Sequence, residues 1–229
     1  MNLIPVMDLM AGQVVHARRG ERDSYRPVHS TLCPSAAPEA ILQAFIEHFS
    51  CATVYIADLD AIRFGRPQLT LLKALKVNFP TIRFWVDAGI FDLGTFARWH
   101  AAELGTLVIG SESLSETNWL ATLARDSWIL SLDFKGTAFL GPPDALSQSE
   151  IWPQKVLAMN LAQVGNEAGP DYDLLASLRR KSPELELYAA GGVRDESDLR
   201  ALEQRGYAGA LVATALHNGS IKSKINRKL

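Results

Sequence analysis

Short apolar runs rich in Val, Ile and Leu recur along the chain: "LIPVMD", "ATVYIAD", "IRFWVD", "TLVIG", "WILSLD", "KVLAMN", "LELYAA" and "YAGALVA". Each is too short for a globular helix and too continuous for a strand with one wet face, which predicts strands covered on both sides. Between them the apolar positions take helical spacing. In "PEAILQAFIEHF", Ile41, Leu42, Phe45, Ile46 and Phe49 form one stripe, and Pro38 suits a first turn. "PQLTLLKALKVNF", "DLGTFARWHAAEL", "ETNWLATLAR", "PDYDLLASLRRK" and "DESDLRALEQRG" repeat the theme, the last opening on an Asp cap and closing on Gly206. Strand alternating with helix requires right-handed crossovers and a parallel sheet. Eight such units in this length fit one closed (β/α)8 barrel better than an open doubly wound sheet. The fifth crossover, "LGPPDALSQSEIWPQ", is rich in helix breakers. No linker interrupts the pattern, so residues 1–229 are expected to form a single TIM-barrel domain.

The second half repeats the first. Asp8 aligns with Asp133, Asp58 with Asn160, Gly89 with Gly192, and Gly110 falls near Ala213. The last three pairs keep one spacing to within a residue, and the first differs because the loop after the first strand is longer. Two half-barrels built alike are predicted.

Composition narrows the partners. With 229 residues, 48% hydrophobic and 21% charged, the chain can bury a large core. A net charge of −2 with scattered Lys and Arg argues against nucleic acid, while leaving room for a small anion. The basic tail "IKSKINRKL" is expected to be a solvated end. The two cysteines, Cys33 and Cys51, form no disulfide framework or metal spacing, which suits a reducing cytoplasm. There is no signal-peptide pattern and no membrane-length apolar run. The histidines at 29, 48, 100 and 217 lack ligand spacing, so no metal is expected, and no cofactor. Oligomeric state is left open.

In a closed barrel the residues ending the strands face the active site. Asp8 and Asp133 end the first and fifth strands, which lie opposite each other, so one can take a proton and the other give one. Alternatively each only accepts hydrogen bonds from its own loop; the symmetric pairing favours catalysis. Lys135 either lowers the pKa of Asp133 or is solvated. Gly191 and Gly192, before a helix capped by Asp195, offer backbone N–H groups to a phosphate, and Thr214 can donate to the same anion. In the other half Asp87 stands where a second cradle wants a neutral residue, leaving Gly89, Gly110 and Ser111. A hydroxyl-bearing or cationic ligand end suits that side. His16, Arg18 and Arg19 form a basic cluster that either clamps an anion or is a solvated hairpin. Of Asp58 and Asp60, one can face the site, although pairing with Arg63 or Arg66 is the plainer role. The tryptophans are expected to be packing.

"IPVMDLMAGQVVHARRGERDSY", "VYIADLDAIRFGRPQLTLLKAL", "VIGSESL", "WILSLDFKGTAFLG", "AAGGVRDESDLRAL" and "GALVATALHNG" together resemble the histidine-biosynthesis barrels, the isomerase HisA and its cyclase relative HisF, over nearly the whole chain. The resemblance implies a phosphorylated small-molecule substrate and an Amadori rearrangement of an aminoaldose to an aminoketose. In it Asp8 is the base and Asp133 the acid. It also implies substrate contacts at Ala213 and at Asn160, where the isomerases carry other residues. The departures are Asp87, Ala88 and Phe91 in place of a Gly-Gly-Gly-Ile-Arg run, Met159, Asn160 and Val164 around the sixth strand, Ala213 and Thr214 in place of a Gly-Arg or Gly-Lys pair, and His16 in place of Arg. They weaken one phosphate cradle and point to a divergent substrate. A "VGNEAGPD" run is similar to barrels of tetrahydromethanopterin biosynthesis. That leaves a lyase or condensing step through a Lys135 imine as one alternative, and a non-catalytic binding barrel as another.

Overall fold

A computed structural model describes residues 1–166 and 168–223; most of the basic tail, 224–229, lies outside the described residues. Eight parallel strands close into a barrel in the order β1 (Asn2–Met10), β3 (Thr53–Asp58), β4 (Arg83–Asp87), β5 (Thr106–Gly110), β6 (Trp128–Lys135), β8 (Lys155–Asn160), β9 (Glu186–Ala190) and β10 (Gly209–Val212), the last pairing back onto β1. Two short antiparallel strands, β2 (Gln13–Val15) and β7 (Ala138–Leu140), fold back as hairpins on β1 and β6.

Helices cover the outside: α1 (Pro38–Phe49), α2 (Leu59–Phe64), α3 (Leu69–Asn78), α4 (Leu93–Ala101), α5 (Pro143–Ser147), α6 (Tyr172–Lys181), α7 (Glu196–Gln204) and α8 (Thr214–His217). The stripe predicted on α1 is buried through Ile41, Leu42, Phe45 and Phe49. No described helix is long and apolar enough to cross a membrane.

Two crossovers depart from the predicted pattern. Instead of a helix over 116–125 there is only a 3-10 turn at 120–122, because Thr122 bonds back to the Trp119 carbonyl through its hydroxyl and Trp119 packs against Phe96. The Pro-rich fifth crossover keeps one short helix, α5, whose Ala145 carbonyl accepts from the buried Trp152 indole at 2.7 Å.

The half-barrel repeat is written into the register. Asp8 pairs with Ala57 and Val15, and Asp133 pairs with Met159 and Leu140 at the equivalent places. Asp87 pairs with Val108 as Ala190 does with Leu211, and Leu107 pairs with Trp128 as Ala210 does with Leu3. Helices α3 and α6 are equivalent end for end, as are α4 and α7, which are capped by Asp92 and Asp195. Inside the barrel Ile4, Tyr55, Trp85, Val108, Ile129, Leu157, Tyr188 and Leu211, one from each strand, form a packed plug. The repeat mates Trp85 and Tyr188 meet edge to face across it at 5.0 Å. With the lumen filled, chemistry is confined to the rim above it.

Candidate active site

At the C-terminal rim one pocket gathers Asp8, Asp87 and Asp133 with Gly191, Gly192, Ala213 and Thr214. Strand alternation puts the acids above the plug: Asp87 one step above Trp85, and Asp8 and Asp133 two steps above Ile4 and Ile129, over Val6 and Ser131. Gly110 sits between two of them. A Cβ there would lie 3.1 Å from Asp133 Oδ2 and 3.4 Å from Asp87 Oδ2, so glycine leaves the space the two carboxylates occupy.

The three acids differ in surroundings. Asp133 is only 4% exposed and accepts from the Ser131 hydroxyl at 2.6 Å and the Glu112 N–H at 3.1 Å. Burial, then repulsion from Glu112, nevertheless pushes its carboxyl up to about 8. Asp87, 9% exposed, accepts from the Tyr55 hydroxyl and the Gly89 N–H, each at 3.1 Å, and burial pushes it up to about 6. Asp8 is partly exposed toward the mouth and no hydrogen bond from the described residues fixes its carboxylate. It is pushed up to about 7, burial being opposed by the Arg22 guanidinium. Arg22 is itself paired with Glu112 across the mouth.

Opposite the acids lies a seat of backbone donors. Gly191 and Gly192 have φ of +98° and +84°, and a Cβ at Gly192 would fall 2.0 Å from the Gly169 carbonyl, so only glycine lets that carbonyl lie over this turn. The N–H groups of Gly191, Gly192 and Val193 meet no acceptor among the described residues. Gly192 and Val193 are buried. Buried donors left unpaired are costly, so this turn can receive an anion. The Thr214 hydroxyl stands 3.2 Å from His16 Nε2 on the same side. Burial, then Arg18, lowers the pKa of His16. Arg194 lines the seat but is held by a bidentate pair to Asp198.

Several expected contacts fall elsewhere. Lys135 is exposed at the end of β6, where the hairpin begins, and does not line the pocket, so it does not sit where an imine could form. Asn160 is buried in structural bonds to Gly136, Ala162 and Asp171. Asp58 caps α2 and accepts from Ala61 and Gln68, and Asp60 accepts from the Ala11 N–H. Neither pairs with Arg63, which is paired with Asp23. Arg19 is exposed, its backbone tied to Val164. Gly89 packs against Ile62, and Ser111 is buried beneath Asp133. Arg22, Glu112 and Tyr55 were not anticipated. Of these, Glu112 was findable, because the repeat aligns it with the neutral Ala215.

Residues 2–222 match the family model described as histidine biosynthesis protein. The chain is similar to an uncharacterized protein of Methanocaldococcus jannaschii, 28% identical over 96% of this chain and 94% of that one. It is also similar to the 1-(5-phosphoribosyl)-5-((5-phosphoribosylamino)methylideneamino)imidazole-4-carboxamide isomerases of Listeria welshimeri and Symbiobacterium thermophilum. These are 25% and 26% identical over 96% of this chain and 95% and 93% of theirs.

Proposed function

The chain belongs to the histidine biosynthesis protein family, and from that premise we propose that residues 1–229 form one catalytic domain, an isomerase converting a phosphorylated aminoaldose to the aminoketose. One observation carries the reading: two repeat-related carboxylates share a pocket with an anion seat, one beside Glu112 and the other beside Arg22. Burial and repulsion from Glu112 favour the protonated form of Asp133, while the Arg22 guanidinium favours the ionised form of Asp8, and this difference assigns acid and base.

In the proposed reaction the Asp133 proton goes to the ring oxygen of the sugar. The C1–O bond breaks toward that oxygen, and the nitrogen lone pair forms C1=N. Asp8 then removes the proton on C2; the C–H pair becomes C1=C2 and the C1=N pair returns to nitrogen. Finally Asp8 returns its proton to C1 while Asp133 takes the C2 hydroxyl proton, which gives the ketose and restores both groups. The phosphate stays on the Gly191–Val193 turn and Thr214, away from the acids. Each acid–base group is worth on the order of 10²–10⁴ in rate.

A Lys135 imine has no support in the position of that side chain, and a scaffold with no chemistry has no use for carboxyls held so far from their ordinary ionisation. The test is turnover of an aminoaldose phosphate, followed as ketose formation, by the wild-type protein and by Asp8→Asn and Asp133→Asn. Loss of activity in both, with folding retained, is expected. Wild-type activity in either variant refutes the roles assigned here.

A further inference from the structure

The two halves treat their anion seats differently. In the second half the N–H groups of Gly191, Gly192 and Val193 are unpaired among the described residues. In the first half the central matching donor, and a second one on the neighbouring loop, are already taken by the chain itself. The Gly89 N–H, equivalent to that of Gly192, donates to Asp87 Oδ1 at 3.1 Å. The Glu112 N–H, equivalent to that of Ala215, donates to Asp133 Oδ2 at 3.1 Å. Two carboxylates therefore sit on the donors that a second phosphate would need. Tyr55 fixes Asp87 there and Arg22 fixes Glu112, so the arrangement is held in place from both sides.

We propose that the ligand of this pocket carries a single phosphate, seated on the second-half turn, and at its other end a protonated amine, separate from the nitrogen that reacts, seated among Asp8, Asp87 and Glu112. The proposal rests on the reading of this pocket as the substrate site and adds the substrate class. A second phosphate on the first-half side would meet Asp87 and Glu112 with only Arg22 to offset them, and would compete with Asp87 for the Gly89 N–H and with Asp133 for the Glu112 N–H. An ammonium there gains three acceptors and needs no backbone donor. The isomerases of Listeria welshimeri and Symbiobacterium thermophilum are named for a compound with two phosphoribosyl groups. The closed seat sets this chain apart from that requirement.

The experiment is calorimetric titration of the whole chain with four probes: inorganic phosphate, glucose 6-phosphate, glucosamine 6-phosphate and fructose 1,6-bisphosphate. The aminosugar monophosphate is expected to bind at least about tenfold tighter than its neutral counterpart, the scale of one added charge-assisted bond. The bisphosphate is expected to bind no tighter than glucose 6-phosphate. Asp87→Asn should narrow the aminosugar preference and strengthen the bisphosphate. Equal binding of glucose 6-phosphate and glucosamine 6-phosphate, or a bisphosphate that binds tightest to the wild type, overturns the proposal. Thr214→Val separates this failure from a wrong choice of pocket. If it weakens every probe while the bisphosphate still ranks first, only the substrate class is wrong; if it changes none, the phosphate lies elsewhere and the pocket assignment falls too. No binding of any probe at millimolar concentration removes the open seat and the proposal with it.

Discussion

Replacing Asp133 with Asn removes a buried ionisation and keeps the shape of the side chain. The Ser131 hydroxyl can turn to accept from the amide, leaving the amide oxygen for the Glu112 N–H, so the pH-independent change is expected to stay within about 1 kcal/mol. The pH-dependent part is larger. Burial, with repulsion from Glu112, pushes Asp133 up to about 8, whereas an unfolded Asp titrates near 4. The native state therefore holds a proton that the unfolded chain has released. The stability tied to that proton is complete below about pH 4 and is lost as pH rises through about 8. At about 1.4 kcal/mol per pH unit, the wild type gives up about 4 kcal/mol through this group between pH 5 and pH 9, and the variant gives up none of it. Asp8 and Asp87 are present in both proteins, so to first order they cancel in the comparison. Urea unfolding of both proteins at pH 5, 7 and 9, followed by tryptophan fluorescence, measures the gap. The variant should gain steadily on the wild type as pH rises. A gap constant to within about 1 kcal/mol would show that Asp133 ionises normally in the folded protein, and the acid assignment would fail with it.

The same ionisations predict a narrow bell in kcat/KM, rising near pH 7 as Asp8 ionises and falling near pH 8 as Asp133 does; a plateau from pH 5 to 9 would contradict it. Arg22→Met removes the cation that opposes the effect of burial on Asp8, so the rising limb of that profile should move to higher pH, which a pH–rate series will detect. Thr214→Val should raise KM for a phosphorylated substrate about fivefold and leave kcat nearly unchanged, the loss of about one hydrogen bond made equally in ground and transition states. Gly192→Ala puts a Cβ 2.0 Å from the Gly169 carbonyl at a positive φ, and should lower stability by more than about 2 kcal/mol in calorimetric melting.

The barrel was readable because each strand is covered on both faces, which forces the continuous apolar runs, and because strand-end Gly and Asp positions recur between the halves. Helices α1, α3, α4, α6 and α7 follow from periodicity and caps that tertiary contacts do not override. The 116–125 segment was misread since its apolar spacing serves Trp119 and Leu120 in a turn, where a Thr hydroxyl competes for the backbone. Within the site, Asp8, Asp133 and the Gly191–Gly192 turn were legible from strand position alone. Asp58, Asn160 and Lys135 were not, because a place at the last residue of a strand does not say whether the side chain serves the pocket or a neighbouring loop. The first two turn inward to tie down loops, and the third turns outward on its hairpin. Arg22 comes from a loop whose path depends on its pairing with Glu112, a contact between residues far apart in sequence.

The near-symmetry of the register makes the asymmetry of the charges informative. A barrel with two equal anion seats can bind a ligand with equal ends in either direction, and then Asp8 and Asp133 would exchange roles with each reversal. Here one seat is open and the other is occupied by Asp87 and by the bond from Glu112 to Asp133, so a phosphorylated ligand is expected to enter one way round. A fixed direction gives each carboxylate one task and lets their surroundings diverge. Asp133 lies deep with Glu112 repelling its charge, and Asp8 lies partly open with Arg22 favouring its charge. On this argument the acid–base order follows from the closed seat rather than from the strands that carry the acids. Opening that seat through Asp87 should therefore disturb the direction of binding before it disturbs either carboxylate.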